Sequence, residues 1–204
     1  PADLASGTEL VVLAAPAAFP LVRGIRHKPV TAPSATEAAR GVAGSMDDAR
    51  WRAGYALLET HGLSFDLQAP WWNLDQAAQL ARDFPSTLLI LNHSGLPADR
   101  SAEGLAGWRR ALERLADAPN TAIKISGLGQ RGLPWTEEAN VPLIRDAIAI
   151  FGASRCMFAS NFPVDSLVAS YETILRGFLA AIAGHSEAER RQLLHDNAVR
   201  LYRL

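Results

Sequence analysis

Five short apolar runs in this sequence each end in side chains that can handle charge or protons. Residues 21–26 close on Arg26 and are followed by His27 and Lys28. Residues 63–68 carry Asp66 and Gln68, and residues 87–92 end at Asn92 with His93 next. Residues 121–126 carry Lys124 and Ser126, and residues 155–160 end at Ser160, followed by Asn161. An imidazole such as His93 can serve as a general base, as a hydrogen-bond donor to a carbonyl, or as a metal ligand. Asp66 can orient it or activate water, and Arg26 and Lys124 can hold a carboxylate or an oxyanion. That set points to hydrolysis or a related proton-transfer reaction.

Alternation along a strand sharpens the pattern. Asp66 and Gln68 share one face, Lys124 and Ser126 share one face, and His93 aligns with Leu89 and Leu91. A charge in an apolar strand is costly unless paired, so a purely structural Asp66–Lys124 ion pair stands beside the catalytic reading. Trp72, just after the second run, is either a wall of the pocket or a packed loop anchor. Asp165, in a turn with Pro163, is better explained as the cap of the next helix than as an acid near the pocket. For His61, His185 and His195, in or beside helical segments, the plainer structural reading is preferred. Gly127 and Gly129 are too few for a dinucleotide fingerprint and instead ease a tight turn after the fourth run.

Elements that could hold these groups together are legible in the rhythm of the chain. The five runs are apolar on both faces, as buried parallel strands are, and they alternate with segments of helical period. Residues 47–60 place Trp51, Tyr55 and Leu58 on one stripe and stop at Gly62; a helix capped by Asn73 ends before Phe84 and Pro85. Residues 101–117, 137–151 and 167–183 are likewise helical, and Ser186 with Glu189 forms a capping box opening a last helix that runs to residue 204. The result is an α/β chain of five β-α units in a single domain over residues 1–204. Residues 31–45, rich in Ala, Thr, Pro and Gly, are expected to loop over the active face. Ligands of a parallel sheet or barrel bind beyond the carboxyl ends of its strands, where all five polar clusters fall.

Composition narrows the partners. Hydrophobic residues make up 49% of the chain, and 20 basic residues stand against 21 acidic ones with no basic run to track phosphates, so nucleic acid is not expected. Lysine occurs only at Lys28 and Lys124, both at strand ends. The sole cysteine, Cys156, sits in an apolar run and is expected to be a buried small hydrophobe, in keeping with a reducing, cytoplasmic location. The apolar stretch 10–22 is broken by prolines and falls short of a membrane span.

Several motifs occur together and in order: Gly24-Ile-Arg-His27, His61-Gly-Leu-Ser-Phe-Asp-Leu-Gln68, Leu91-Asn-His-Ser-Gly95, Lys124-Ile-Ser-Gly-Leu128, Cys156-Met-Phe-Ala-Ser-Asn-Phe-Pro-Val-Asp165 and His195-Asp-Asn197. In this the chain resembles the amidohydrolase-related family of metal-dependent TIM-barrel hydrolases, which includes sugar-lactone and dicarboxylate-lactone hydrolases. The resemblance implies a (β/α)8 barrel of which the five runs are the fourth to eighth strands. Ala2-Asp-Leu4 would then be the end of the third strand, and the first-strand His-x-His of the family has no counterpart, so the barrel is expected to be incomplete at its amino-terminal third.

The resemblance also implies that His93 contacts the substrate carbonyl or a metal. Asn161 falls where most members carry a water-activating aspartate, which leaves Asp66 or Asp165 to act as the acid. Arg26 and Lys124 are expected to line the pocket, Arg26 suiting a substrate carboxylate. The candidate catalytic residues are thus His93, Asp66, Lys124 and Asn161, and the candidate substrate-binding residues Arg26, His27, Gln68, Ser126 and Trp72. A divalent metal such as zinc, held by His93, is left open as a cofactor. The expected activity is opening of a small lactone by activated water. A decarboxylase of the same superfamily, or a non-catalytic barrel fragment serving as an assembly subunit, are the alternatives. Open barrel edges lead to an expectation of self-association or strand exchange.

Overall fold

The structure is a computed structural model describing residues 19–37 and 41–204. Five strands, β1 (Gly24–His27), β2 (Ser64–Leu67), β3 (Leu89–Leu91), β4 (Thr121–Ile125) and β5 (Cys156–Phe158), form one parallel sheet in sequence order. Every neighbouring pair is joined by a helical crossover, as parallel pairing requires. The helices are α1 (Ala49–Thr60), α2 (Leu74–Asp83), α3 (Ala102–Ala116), α4 (Glu137–Phe151), α5 (Tyr171–Ala181), α6 (Glu187–Arg191) and α7 (Asn197–Tyr202), the last two joined by a π turn at Gln192–Asp196. None of the described helices is long and apolar enough to cross a membrane. The architecture is an incomplete (β/α)8 barrel, with β1 and β5 as its edges among the described residues.

The two faces of the sheet are covered differently. Phe65, Leu67, Leu89, Leu91, Ile123, Ile125 and Cys156 point outward into the main core, against helix residues such as Trp51, Tyr55, Leu80, Trp108, Leu112 and Ile144. The alternate residues Ile90, Ala122 and Met157 point to the inner face, where Ala198, Leu201 and Tyr202 of α7 lie on them. Asn197 starts this crossing by donating to the Ala153 and Cys156 carbonyls, both at 2.7 Å. Cys156 is fully buried, and burial pushes its thiol up to about 12, the behaviour of a small hydrophobe.

Several expected boundaries move, each for a local reason. The first strand starts at Gly24 rather than residue 21, because Val22 donates to the Phe19 carbonyl in a turn and Leu21 is exposed. Asn73 precedes α2 but does not cap it: a 3-10 turn at Trp71–Asn73 holds it at φ −102°, and its amide donates to Gln76 Oε1 instead. The helix expected from residue 167 starts at Tyr171. Val164–Leu167 is a separate 3-10 turn, and Ser170 caps α5 by accepting from the Thr173 N–H at 3.1 Å. The final helix keeps its Ser186–Glu189 capping box but is interrupted by the π turn. In the 31–45 loop, Val30 donates to the Gly44 carbonyl and Gly44 to Asp48, closing the loop's base. Residues 38–40 and the Ala2-Asp-Leu4 segment lie outside the described residues.

Candidate active site

At the carboxyl ends of β1 to β4 the inner face carries a continuous hydrogen-bond chain. Arg26 Nη2 donates to Gln68 Oε1 and contacts His93 Nε2, both at 2.9 Å, and His93 Nδ1 lies 3.0 Å from Ser126 Oγ. A guanidinium has no acceptor, so His93 Nε2 must supply the lone pair and Nδ1 carries the proton, donated to Ser126. Burial holds the imidazole down at about 4, helped by the positive charges of Arg26, Lys124 and Lys28. His93 is therefore neutral at ordinary pH in a strongly cationic setting.

Strand alternation alone would send His93 outward with Leu89 and Leu91. It does not go there, because the backbone turns left-handed at His93 and Ser94, both with φ of 53°. Non-glycine residues pay for that conformation, and such strain gathers at functional sites. Two features hold the turn. Trp108 Nε1 donates to the Ser94 carbonyl at 2.7 Å. Gly127, itself at φ +61°, leaves space where a Cβ would stand 2.9 Å from His93 Cβ.

Beneath this chain lies a second group. Lys124 Nζ is 2.5 Å from Asp66 Oδ2, Tyr202 Oη donates to Asp66 Oδ1 at 2.8 Å, and the Lys124 ammonium sits 5.1 Å from the centre of the Tyr202 ring. Burial, then the adjacent Asp66 charge, pushes the phenol upward, so it stays protonated and keeps donating. The Asp66–Lys124 ion pair read from the sequence is present, and both Asp66 oxygens are engaged. Asp66 does not orient His93; Arg26 and Ser126 do.

The remaining candidates lie apart from the chain. His27 alternates to the outer side, its Nδ1 3.4 Å from Trp51 Nε1. Trp72 donates to the Ala32 carbonyl at 2.8 Å and so anchors the loop that leaves β1. Asn161, left-handed at φ 55° and followed by a cis Phe162–Pro163 bond, donates from Nδ2 to Asp165 Oδ1 at 2.8 Å. Asp165 does not cap a helix; it is buried and faces a cavity shared with Ser126, and burial raises its carboxyl above the usual range. Tyr202 was not legible as a site residue, since its partner lies 136 positions away in sequence.

The sequence pattern of the amidohydrolase family matches residues 15–204. The chain belongs to the amidohydrolase family. Among relatives of this amidohydrolase, an uncharacterized protein of Sinorhizobium fredii, y4mH, is 48% identical over 154 residues, covering 76% of this chain and 52% of that protein. An L-fucono-1,5-lactonase of Burkholderia multivorans is 31% identical over 194 residues, covering 90% of this chain and 63% of that enzyme. The amidohydrolase chain thus spans between half and two thirds of the length of these curated relatives. A crystal structure of a Burkholderia multivorans amidohydrolase with bound HEPES superposes with a TM-score of 0.82 at 29% identity, covering 99% of this chain and 71% of that one. A second crystal form of it, with bound zinc, gives 0.80 at 28% identity and the same coverage.

Zinc in that relative raises the question of whether this amidohydrolase's own residues fit a metal. A catalytic zinc takes about three protein ligands. Among the described residues no three His, Cys, Asp or Glu side chains converge, and the His93 Nε2 lone pair is turned to the Arg26 guanidinium. The described residues do not fit a catalytic zinc by themselves.

Proposed function

We propose that the protein hydrolyses a small lactone, and that the Arg26–His93–Ser126 chain is the part of the site that binds and polarises its carbonyl. The carrying observation is the neutral imidazole held between a guanidinium and a hydroxyl. When a substrate oxygen takes the place of His93 on Arg26, the Ser126 hydroxyl can rotate to donate to Nδ1, and the proton then resides on Nε2, facing the carbonyl. A hydroxyl both donates and accepts, so Ser126 suits either neutral tautomer; in the exchange Nδ1 gives up its proton to water and Nε2 takes one from water, which leaves the net charge unchanged. Arg26, steadied by Gln68, supplies the positive charge that an oxyanion or a substrate carboxylate requires. Lys124 acts through its field, which helps keep His93 neutral, and Asp66 with Tyr202 fixes the ammonium. Trp72 and the loop it anchors flank the same carboxyl-end face, and Asn161 positions the turn after β5. Lactonase relatives and amidohydrolase membership favour this reaction class.

The deciding experiment measures acid release from a panel of sugar lactones and dicarboxylate lactones by the intact protein, with and without chelator. Turnover abolished by His93→Asn supports the reading, whereas no turnover on the whole panel would move the weight to carbon–carbon cleavage, the other chemistry open to this superfamily. The same reading includes self-association of the 204-residue chain through the edges of β1 and β5, and a monodisperse monomer in light scattering would count against it.

A further inference from the structure

The polar chain around His93 contains donors and a neutral base but no carboxylate, and Asp66 spends both oxygens on Lys124 and Tyr202. Asp165 is a carboxylate that the site as described does not use. It is 8% exposed and makes no ion pair among the described residues, and its one side-chain hydrogen bond there comes from Asn161 Nδ2 at 2.8 Å. A buried carboxylate with so little compensation is costly to keep for structure alone. The backbone is shaped to hold it: Asn161 is left-handed, and the Asp165 N–H returns to the Asn161 carbonyl at 3.1 Å, folding the acid back over the end of β5.

What it faces is specific. Asp165 lines a cavity with Ser126, Gly127, Trp135, Phe158 and Ser160, and the volume open there to the centre of a water is about 10 Å³. That is roughly one water position. Ser126 lies between the two regions, since its hydroxyl bonds His93 Nδ1 and its walls belong to the cavity. Gly127 touches both, lining the cavity while lying against His93. A single-water cavity with one buried acid therefore adjoins the imidazole that would hold the carbonyl.

We infer that Asp165, held by Asn161, is the proton acceptor for the attacking water. The carboxylate of the site is thus carried four residues beyond the strand end, with an amide at the strand end to position it. This rests on the lactone-hydrolysis reading. In the step, a water proton passes to Asp165 as the water oxygen bonds to the lactone carbonyl carbon, whose oxygen takes the negative charge. When the tetrahedral species collapses, the ring C–O bond breaks with its electron pair on the leaving oxygen. That oxygen takes the proton from Asp165, giving the open hydroxy acid and restoring the carboxylate. Asn161 is a positioning residue in this scheme.

The test compares the intact wild-type protein, Asp165→Asn, and the exchanged double variant Asn161→Asp with Asp165→Asn, using the lactone that turns over best. Asp165→Asn keeps an amide-to-side-chain hydrogen bond and the volume, so the turn survives. Its kcat is expected to fall a hundredfold to ten-thousandfold, roughly the range of general-base loss, with KM changed less than about threefold. The double variant returns a carboxylate to the pair and is expected to recover most of that loss. Asp165→Asn at near wild-type kcat overturns the inference while leaving the lactonase reading intact. Failure of the double variant to recover assigns Asp165 to turn shape and overturns it too. No turnover by the wild type overturns both.

Discussion

The inner face of the sheet holds two adjoining polar regions, with Arg26 of one and Asp66 of the other in register on β1 and β2, and they are built on opposite rules. In the lower region every charge is answered: Lys124 meets Asp66, Tyr202 fills the second carboxylate oxygen, and the apolar layer of Ile90, Ala122, Met157 and Leu201 lies beside them. In the upper region the hydrogen bonds of Arg26 among the described residues go to neutral groups, Gln68 and His93. A closed ion pair is what stability requires of buried charge. A cation left with neutral partners is what a site requires if it is to receive an anion or a developing oxyanion. Neighbouring residues of the same strands thus divide between holding the fold and meeting a ligand.

Substitutions can be chosen to make that division fail. The largest effect is expected in the upper region: His93→Asn should lower lactone turnover by about a hundredfold to ten-thousandfold while leaving the urea unfolding midpoint near that of the wild type. Equal losses of stability and turnover would erase the distinction. Next, Arg26→Met should raise KM for lactones bearing a free carboxylate roughly tenfold to a hundredfold, the worth of a charge-assisted hydrogen bond, and have a smaller effect on neutral lactones, as initial-rate kinetics would show.

The lower region should answer in stability. Lys124→Met leaves Asp66 without its cation and should cost about 2 to 3 kcal/mol, below the usual figure for a fully buried pair because both side chains keep some exposure. Tyr202→Phe, which removes one hydrogen bond to a charged group, should cost about 1 to 2 kcal/mol in the same unfolding assay.

The effect most diagnostic of the upper region is in pH. His93 is held down at about 4 from an ordinary 6.5, so between those values the unfolded chain binds a proton that the native state refuses. Its contribution to stability is complete above pH 6.5 and is lost as pH falls through about 4. The stability of wild type and His93→Asn in chemical denaturation should therefore be similar above pH 6.5, and wild type should lose stability relative to the variant as pH falls from 6.5 toward about 4. An unchanged difference from pH 4 to 7 would show that the imidazole is not being kept neutral.

How much of this was legible in the sequence depended on whether alternation held. Counting in twos put Gln68 on one face with Asp66 and Ser126 on one face with Lys124, and in the structure that is the inner face. The same count aligned His93 with Leu91, whose side chain turns out to point outward, and His93 parts from it because no periodicity can register a left-handed residue at a strand end. The clue was nearby: Gly127 in Ser126-Gly-Leu-Gly was read as easing its own turn, whereas it also makes room for His93. Asp165 looked like a helix cap because Asp is a favoured cap residue and lies in a turn with Pro163, and only the fold shows Ser170 doing that work. Tyr202 left no local signal at all. The strands and helices themselves were recoverable because burial on both faces and the 3.6-residue stripe are local patterns, while contacts spanning much of the chain are not.

That long contact also sets an order of events during synthesis. Strands β1 to β4 are complete once residue 125 has been made, yet the floor under their polar groups is Tyr202, tied to Asp66 from 136 positions downstream. A nascent chain that folds from its amino end therefore carries Lys124 and Asp66 without their Tyr202 partner until α7 arrives, so a helix made well after β4 is the one that completes this part of the inner face.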